Sequence, residues 1–267
     1  MILDEIVKKR RVQLAREISE VSRADMKRLA LEAVAAVSSG AAVPGRFAKA
    51  IAADGLSIIA EVKKASPSKG LIQPDFRPAE TAAAYERSGA SAISVLTEEA
   101  YFQGGSDYLK QVRQAVALPI LRKDFIFDDY QIYEAKVIGA DAVLLIVAIL
   151  TDAEIRAFMA LAASLGLDAL VEVHDEAEMV RAIACGAKLI GINNRDLKTF
   201  NVELSTTQRL LPMVPAGTLS ISESGIRDAR DMETVRTWGA DAVLIGETLM
   251  RSTDVESTLK ALKGVEQ

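Results

Sequence analysis

Ionisable and amide side chains in this sequence recur at one place in its pattern, the end of an apolar run. Glu61 and Lys63 close LSIIAEVK (56–63), Lys123 and Asp124 close LPILRKDF (118–125), and Glu172 nearly closes LDALVEV (167–173). Asn193 and Asn194 end CGAKLIGINN (185–194), with Arg195 next, and Glu223 and Ser224 end TLSISES (218–224). Lysine and glutamate are seldom buried unless paired, so structural salt bridges could account for one such pair. Two lysines, three glutamates, an asparagine and an arginine at equivalent run ends point instead to a site. Ammonium groups there can donate protons or hold anions, and carboxylates can take protons. A lysine condensing with a carbonyl as a Schiff base is the rival chemistry. Gly225 follows the seventh run and Gly246 closes the eighth, WGADAVLIGE (238–247), which leads into a short helix. Backbone N–H groups at those two places suit a phosphate. Glu247 at that helix start would repel phosphate if it faced inward, so it is expected to point away and support the helix dipole.

The elements that must position these groups are legible from a repeat. SGASAISVLTE (88–98), IGADAVLLIVA (138–148), CGAKLIGINN and WGADAVLIGE each set Gly just before an apolar, β-branched run. Glycine suits the left-handed residue that stops a helix, so each repeat reads as helix end, short loop and buried strand. Four further runs interleave, all near-continuously apolar as in a parallel sheet covered on both faces. Between them PAETAAAYERSG (78–89), DDYQIYEAKVIG (128–139), DAEIRAFMALAASLG (152–166) and DEAEMVRAIACG (175–186) begin near an acid and end at Gly, as helices do. Strands alternating with helices in this way predict an α/β fold, a (β/α)8 TIM barrel over 1–267. A doubly wound open sheet is the alternative, but its first strand usually runs into a Gly-rich phosphate loop, whereas this one ends in Glu-Val-Lys-Lys. Residues 1–45 add a helical extension with an apolar face at Ile2, Leu3, Ile6, Val7, Leu14 and Ile18. It either plugs one end of the barrel or covers the active-site end.

Bulk properties narrow the partners. Half of the 267 residues are apolar, a quarter are charged, and the net charge is −5. No basic field favours nucleic acid, and Lys8-Lys9-Arg10-Arg11 reads as a solvated helix face. Cys185 is the sole cysteine and His174 the sole histidine, which leaves no disulfide framework and no His/Cys zinc site. His174 sits beside Glu172, one residue past the inward parity expected of Val171 and Val173, and has little claim to catalysis. No signal peptide and no membrane-spanning run is present, so a cytoplasmic monomer acting on a small phosphorylated molecule is expected.

The segments ILDEIVKKRR, IIAEVKKASPSKG, PILRKDFI, DAVLLIVAIL, LVEVHDEAE, GINNRDLKTF, SESGI and VLIGETLM together resemble the indole-3-glycerol phosphate synthase family of tryptophan biosynthesis. The resemblance spans nearly the whole chain. It implies a cofactor-free, metal-free carboxy-lyase that closes 1-(2-carboxyphenylamino)-1-deoxyribulose 5-phosphate to indole-3-glycerol phosphate, CO2 and water. It further implies Lys123 as general acid, Glu172 as base and Lys63 on the substrate carboxylate. Glu61 and Asn193 position these groups, Ser224 joins the network, Glu223 binds substrate, and Arg195 supports the carboxylate or the sixth loop. Gly225, Gly246 and Ser66 lie by the phosphate. The loop KKASPSKGLIQPDF, with Pro67, Gly70 and Pro74, reads as a lid, and Phe76 or Phe125 as an aromatic wall. A phosphoribosylanthranilate isomerase-like barrel, or a barrel that only binds a phosphorylated metabolite, are the alternatives.

Overall fold

The computed structural model describes residues 2–37, 45–53, 55–197 and 199–264. Among these residues eight parallel strands form a closed barrel: β1 (Ser57–Val62), β2 (Ala92–Leu96), β3 (Ile120–Lys123), β4 (Ala142–Ile146), β5 (Asp168–Val173), β6 (Leu189–Asn193), β7 (Leu219–Glu223) and β8 (Ala242–Ile245). Each strand pairs with its chain neighbours, and β1 closes on β8 in the register Ser57↔Ala242 to Ala60↔Ile245. The apolar runs are all strands, and closure excludes the doubly wound sheet.

Side chains alternate across each strand. Ile59, Leu121, Leu144, Leu170, Ile221 and Leu244 fill the barrel interior. Their neighbours Ile58, Ile120, Val143, Val171, Ile190 and Val243 pack outward with the helices. Carried two residues further along each strand, the inward parity reaches Glu61, Lys123, Glu172 and Glu223. Val171 and Val173 therefore face outward, contrary to expectation, and His174 shares the parity of Glu172.

The helices obey their end signals. Asp128 and Asp175 accept the backbone N–H of Tyr130 and Glu178, and Thr151 forms a capping box with Glu154. Gly139 and Gly186 close two of them at φ of 92° and 88°, where a side chain would be strained.

The extension divides its labour. Helix α1 (Ile2–Glu20) brings Ile2, Leu3 and Ile6 to the C-terminal mouth of the barrel. Helix α2 (Arg23–Val37) packs on the helix Asp129–Val137, where Met26, Leu14 and Tyr130 cluster. Helix α3 (Arg46–Ile51) lies beyond the expected limit of the extension and plugs the opposite end. Its Phe47 and Ile51 join the interior cluster, and the Ala48 N–H donates to Asp168 at the start of β5, at 3.0 Å. The plug and the cover are thus different helices. Residues 38–44 lie outside the described residues.

Candidate active site

A cavity of about 580 Å³ opens at the C-terminal mouth of the barrel. Glu61, Lys63, Lys123, Glu172, Asn193, Glu223 and Ser224 line it, with Ser66, Phe125, Arg195, Gly225 and Gly246. The pattern of strand ends was sufficient to find the first seven because the C-terminal ends of all barrel strands meet at one rim.

Lys123 is the centre. Its Nζ donates to Glu172 Oε2 at 2.8 Å and, more closely still, to Glu223 Oε2. The strands β3, β5 and β7 that carry the three are not adjacent, so barrel closure alone joins them. Only 13 % of the Lys123 side chain is exposed. Burial opposes its charge, but Glu172, Glu223 and Glu61 outweigh burial and hold the ammonium above the ordinary lysine range. The two carboxylates diverge. Burial would raise Glu172, yet Lys123 and His174 hold it well below the usual carboxylate range. Glu223 is pushed up to about 7 by burial and by the like charge of Glu172, against the pull of Lys123. Its Oε1 is buried and has no hydrogen-bond partner among the described residues.

Glu61 and Lys63 form a second ion pair on β1 and just past its end. A Cβ at position 246 would lie 2.3 Å from Glu61 Oε1 and 2.8 Å from Lys63 Nζ. Gly246 therefore makes room for this pair as well as exposing backbone at the rim. Gly191 on β6 does the same for Glu223, whose Oε1 would meet its Cβ at 2.1 Å. Glu247 turns to Arg251 at 3.1 Å and Lys69 at 3.6 Å, so its charge is compensated at the rim.

The loops complete the wall. Arg195 Nη1 donates to Ser68 Oγ at 3.3 Å and to the Phe200 carbonyl at 3.4 Å, tying the first loop to the sixth. Asn193 Oδ1 accepts the Arg195 N–H at 3.0 Å. Ser224 adopts φ of 66°, a left-handed conformation that costs a non-glycine residue about 1–3 kcal/mol. Asn194 holds it there: its buried Nδ2 donates to the carbonyls of Glu223 and Ser224, both at 3.0 Å. Sequence reading gave Asn194 little weight, because a side chain anchored 30 residues away leaves no local signal.

Phe76 does not reach the cavity. It packs edge-on against Tyr108 at a ring separation of 5.1 Å, while Phe102 stands beside Phe125 at 6.0 Å and lines the cavity with it. Phe102, Arg227 and Arg251 line the cavity without having been expected there, and Ile2 and Leu3 line it as the cover that the apolar face of the extension allowed. Proximity to strand ends would have suggested the two arginines; nothing local marks Phe102.

Glu223 has a measurable consequence for stability. Its folded pKa, about 7, lies above the ordinary carboxylate value of 4.5, so the folded chain holds a proton that the unfolded chain releases. Its cost is absent below the unfolded value, grows as pH rises, and is complete above about 7. Glu223→Gln is expected to stabilise the chain against urea by about 1–3 kcal/mol at pH 8, with a gain near zero at pH 4. A gain equal at both pH values would show that the carboxyl is not strained by its charge.

Comparison with known proteins is decisive about kinship. The family model for indole-3-glycerol phosphate synthase matches residues 3–262. The indole-3-glycerol phosphate synthase of Acetivibrio thermocellus is 48% identical over 266 residues, covering 99% of this chain and 100% of the relative. That of Thermoanaerobacter pseudethanolicus is 46% identical over 270 residues, covering 99% of each. Among solved structures, 3-hexulose-6-phosphate synthase superposes with a TM-score of 0.62 at 16% identity, covering 79% of this chain and 100% of that one. Thiamine phosphate pyrophosphorylase from Pyrococcus furiosus gives 0.60 at 17% identity, covering 79% and 95%. At such identities the structures share the barrel alone. The full-length family match and the relatives near half identity say more: this chain belongs to the indole-3-glycerol phosphate synthase family.

Proposed function

We propose that the barrel mouth closes 1-(2-carboxyphenylamino)-1-deoxyribulose 5-phosphate to indole-3-glycerol phosphate with Lys123 as general acid and Glu172 as base. The observation that carries this reading is the Lys123 ammonium set between Glu172 and Glu223. The ring carbon that bears the carboxylate attacks the sugar carbonyl, and Lys123 protonates the developing alkoxide. Loss of CO2 restores aromaticity. The new hydroxyl then leaves as water with a second proton, and Glu172 takes the proton from the neighbouring CH2. Two protons enter and one returns, so each turnover takes up one proton from solvent.

Lys63 is assigned to the substrate carboxylate, with Glu61 fixing its position. Asn193 and Arg195 support that end through the sixth loop. Phe102 and Phe125 offer an apolar wall to the anthranilate ring, and α1 shields it from water. The backbone at Gly225 and Gly246, with Ser66 and Ser224, is assigned to the phosphate.

Mixing the chain with this substrate and following indole fluorescence is expected to give a rise. A folded chain that gives none would refute the proposal. Because Lys123 is held protonated, it is a proton donor and a poor Schiff-base nucleophile. Borohydride added with substrate is accordingly expected to leave no adduct on Lys63 or Lys123 by mass spectrometry, and a trapped amine would replace acid catalysis by covalent chemistry.

The loop after β1 supports a gating role. Ala65–Ser66 pairs antiparallel with Gly70–Leu71, and the Lys64 carbonyl accepts the N–H groups of Ile72 and Gln73. This ribbon carries Ser66, Pro67, Ser68 and Lys69 along the cavity edge. Cross-linking it to the sixth loop is expected to lower kcat by more than it raises KM, since lid opening often limits release. Equal kcat with and without the link would count against the lid.

A further inference from the structure

His174 is a titratable group, its side chain 12 % exposed, to which the chemistry above gives no task. It follows β5 directly and has the inward parity of Glu172. Its Nδ1 lies 3.0 Å from Glu178 Oε2, which also accepts the His174 backbone N–H at 2.9 Å. Its Nε2 stands 3.3 Å from Glu172 Oε1, at ion-pair distance though outside hydrogen-bond alignment. Glu172 thus has a nitrogen at each oxygen, Lys123 at Oε2 and the imidazole at Oε1. Glu223 shares Lys123 but has no hydrogen-bond partner at its Oε1 among the described residues. The two carboxylates on the catalytic ammonium are unequal for this reason.

We infer that His174 is a positioning residue that assigns the proton between these two carboxylates. As a second cation on Glu172 it keeps that group ionised and aimed for base chemistry, and leaves Glu223 as the one able to carry a proton. Pairs of carboxyl groups whose surroundings differ in this way commonly divide acid and base work. The inference rests on the proposed role of Glu172 as base.

The ring's other surroundings do not reverse its charge. On its far side a second cavity carries Asp4, Lys8 and Arg11 from α1, Asp175 and Arg181 at the helix Glu176–Ala184, and Asp196, Glu203 and Arg209 beyond β6. Acids and bases balance there, so the two glutamates in direct contact decide. Burial works against a charged ring, but Glu172 and Glu178 outweigh it and push its pKa up to about 10.

The pH dependence of kcat tests this with His174→Gln and His174→Ala, because kcat reports the groups that titrate in the substrate complex. The glutamine keeps a neutral donor near Glu172, and the alanine leaves a gap. In both, the acid limb of the profile is expected to move up by about one pH unit or more, so that kcat at a fixed pH on that limb falls about tenfold or more, with KM little changed. Imidazole added to the alanine variant is expected to restore the parent limb. A limb that stays with the parent's overturns the inference, even if kcat falls equally at every pH, since a merely structural role lowers kcat without moving the limb. The glutamine variant decides if the alanine variant does not fold. Glu172→Gln is measured alongside: if it stays active, the base assignment itself fails. If it is inactive while the limb of the His174 variants does not move, only the role of His174 fails.

Discussion

Replacing Lys123 with alanine is expected to lower kcat by at least about 10²–10⁴-fold, the usual contribution of a general acid. The loss has two sources. The variant lacks the proton donor for the carbonyl oxygen and for the departing hydroxyl. It also leaves Glu172 and Glu223 facing each other across the vacated position without the cation that both contact. Like charges that close cannot both ionise readily, so one carboxyl gains a proton. Glu223 is the group that takes it, because Glu172 retains His174. Single-turnover kinetics read the effect directly, since product release does not enter. Lys123→Arg is the control for charge: a guanidinium stays protonated in proteins and is a poor acid, so it should restore the ion pairs without restoring turnover. A Lys123→Ala variant within tenfold of the parent would require another proton donor, and Lys63 would then be the first to test.

Arg10→Met is expected to cost about 3–5 kcal/mol of stability, as removal of one partner from a buried ion pair does. Arg10 departs from the solvated face expected of its basic run: it reaches from α1 into the barrel wall, where Asp124 pairs with it, and is completely buried. Its Nε and Nη2 donate to the two oxygens of Asp124 at 2.9 and 3.0 Å, and its Nη1 donates to Glu17 at 2.9 Å. Asp124 also accepts from Thr97 Oγ1 at 2.8 Å, Arg122 at 3.0 Å and the Phe125 N–H at 2.8 Å. Burial would raise its pKa, yet Arg10 and Arg122 hold it below the ordinary range. Methionine fills much of the arginine's volume, so the loss reflects charge and hydrogen bonding more than a cavity. The network lies one residue from Lys123 and fastens the helix that covers the mouth. Arg10→Met should therefore raise KM as well as lower the urea midpoint. Asp124→Asn should have a smaller effect on stability, because the amide oxygen can still accept. A stability change below about 1 kcal/mol for Arg10→Met would mean that apolar packing, and not this pair, holds α1 in place.

The same four residues of β3 show where sequence stops and tertiary structure begins. Ile-Leu-Arg-Lys carries two cations in succession, and nothing in their chemistry says which one faces the cavity. Strand pleating sends Lys123 inward to the mouth and Arg122 outward to Asp124, Glu134 and the Gln131 carbonyl. In β5 the same alternation was assigned the wrong way round in advance. Leu170, Val171, Glu172 and Val173 include apolar residues on both faces, and a strand covered on both sides has no polar side to mark its orientation.

By itself the sequence determined what local chemistry can encode. Gly stops, acidic starts and apolar runs specified strands alternating with helices. The rule that barrel strands present their C-terminal ends to one rim then located the site residues on a common wall. What tertiary structure decided was who meets whom. Lys123, Glu172 and Glu223 come from strands that are not neighbours, so their contact exists only once the barrel has closed. Phe102 and not Phe76 stands beside Phe125, and α1 and α3, both helices with apolar faces, cover opposite ends of the barrel. Helical periodicity states that a face must be buried and leaves its partner open. The contacts of Asn194 and His174 were closed to sequence reading for the same physical reason: Asn194 meets Glu223 and Ser224, and His174 meets Glu172, through atoms whose approach the fold decides.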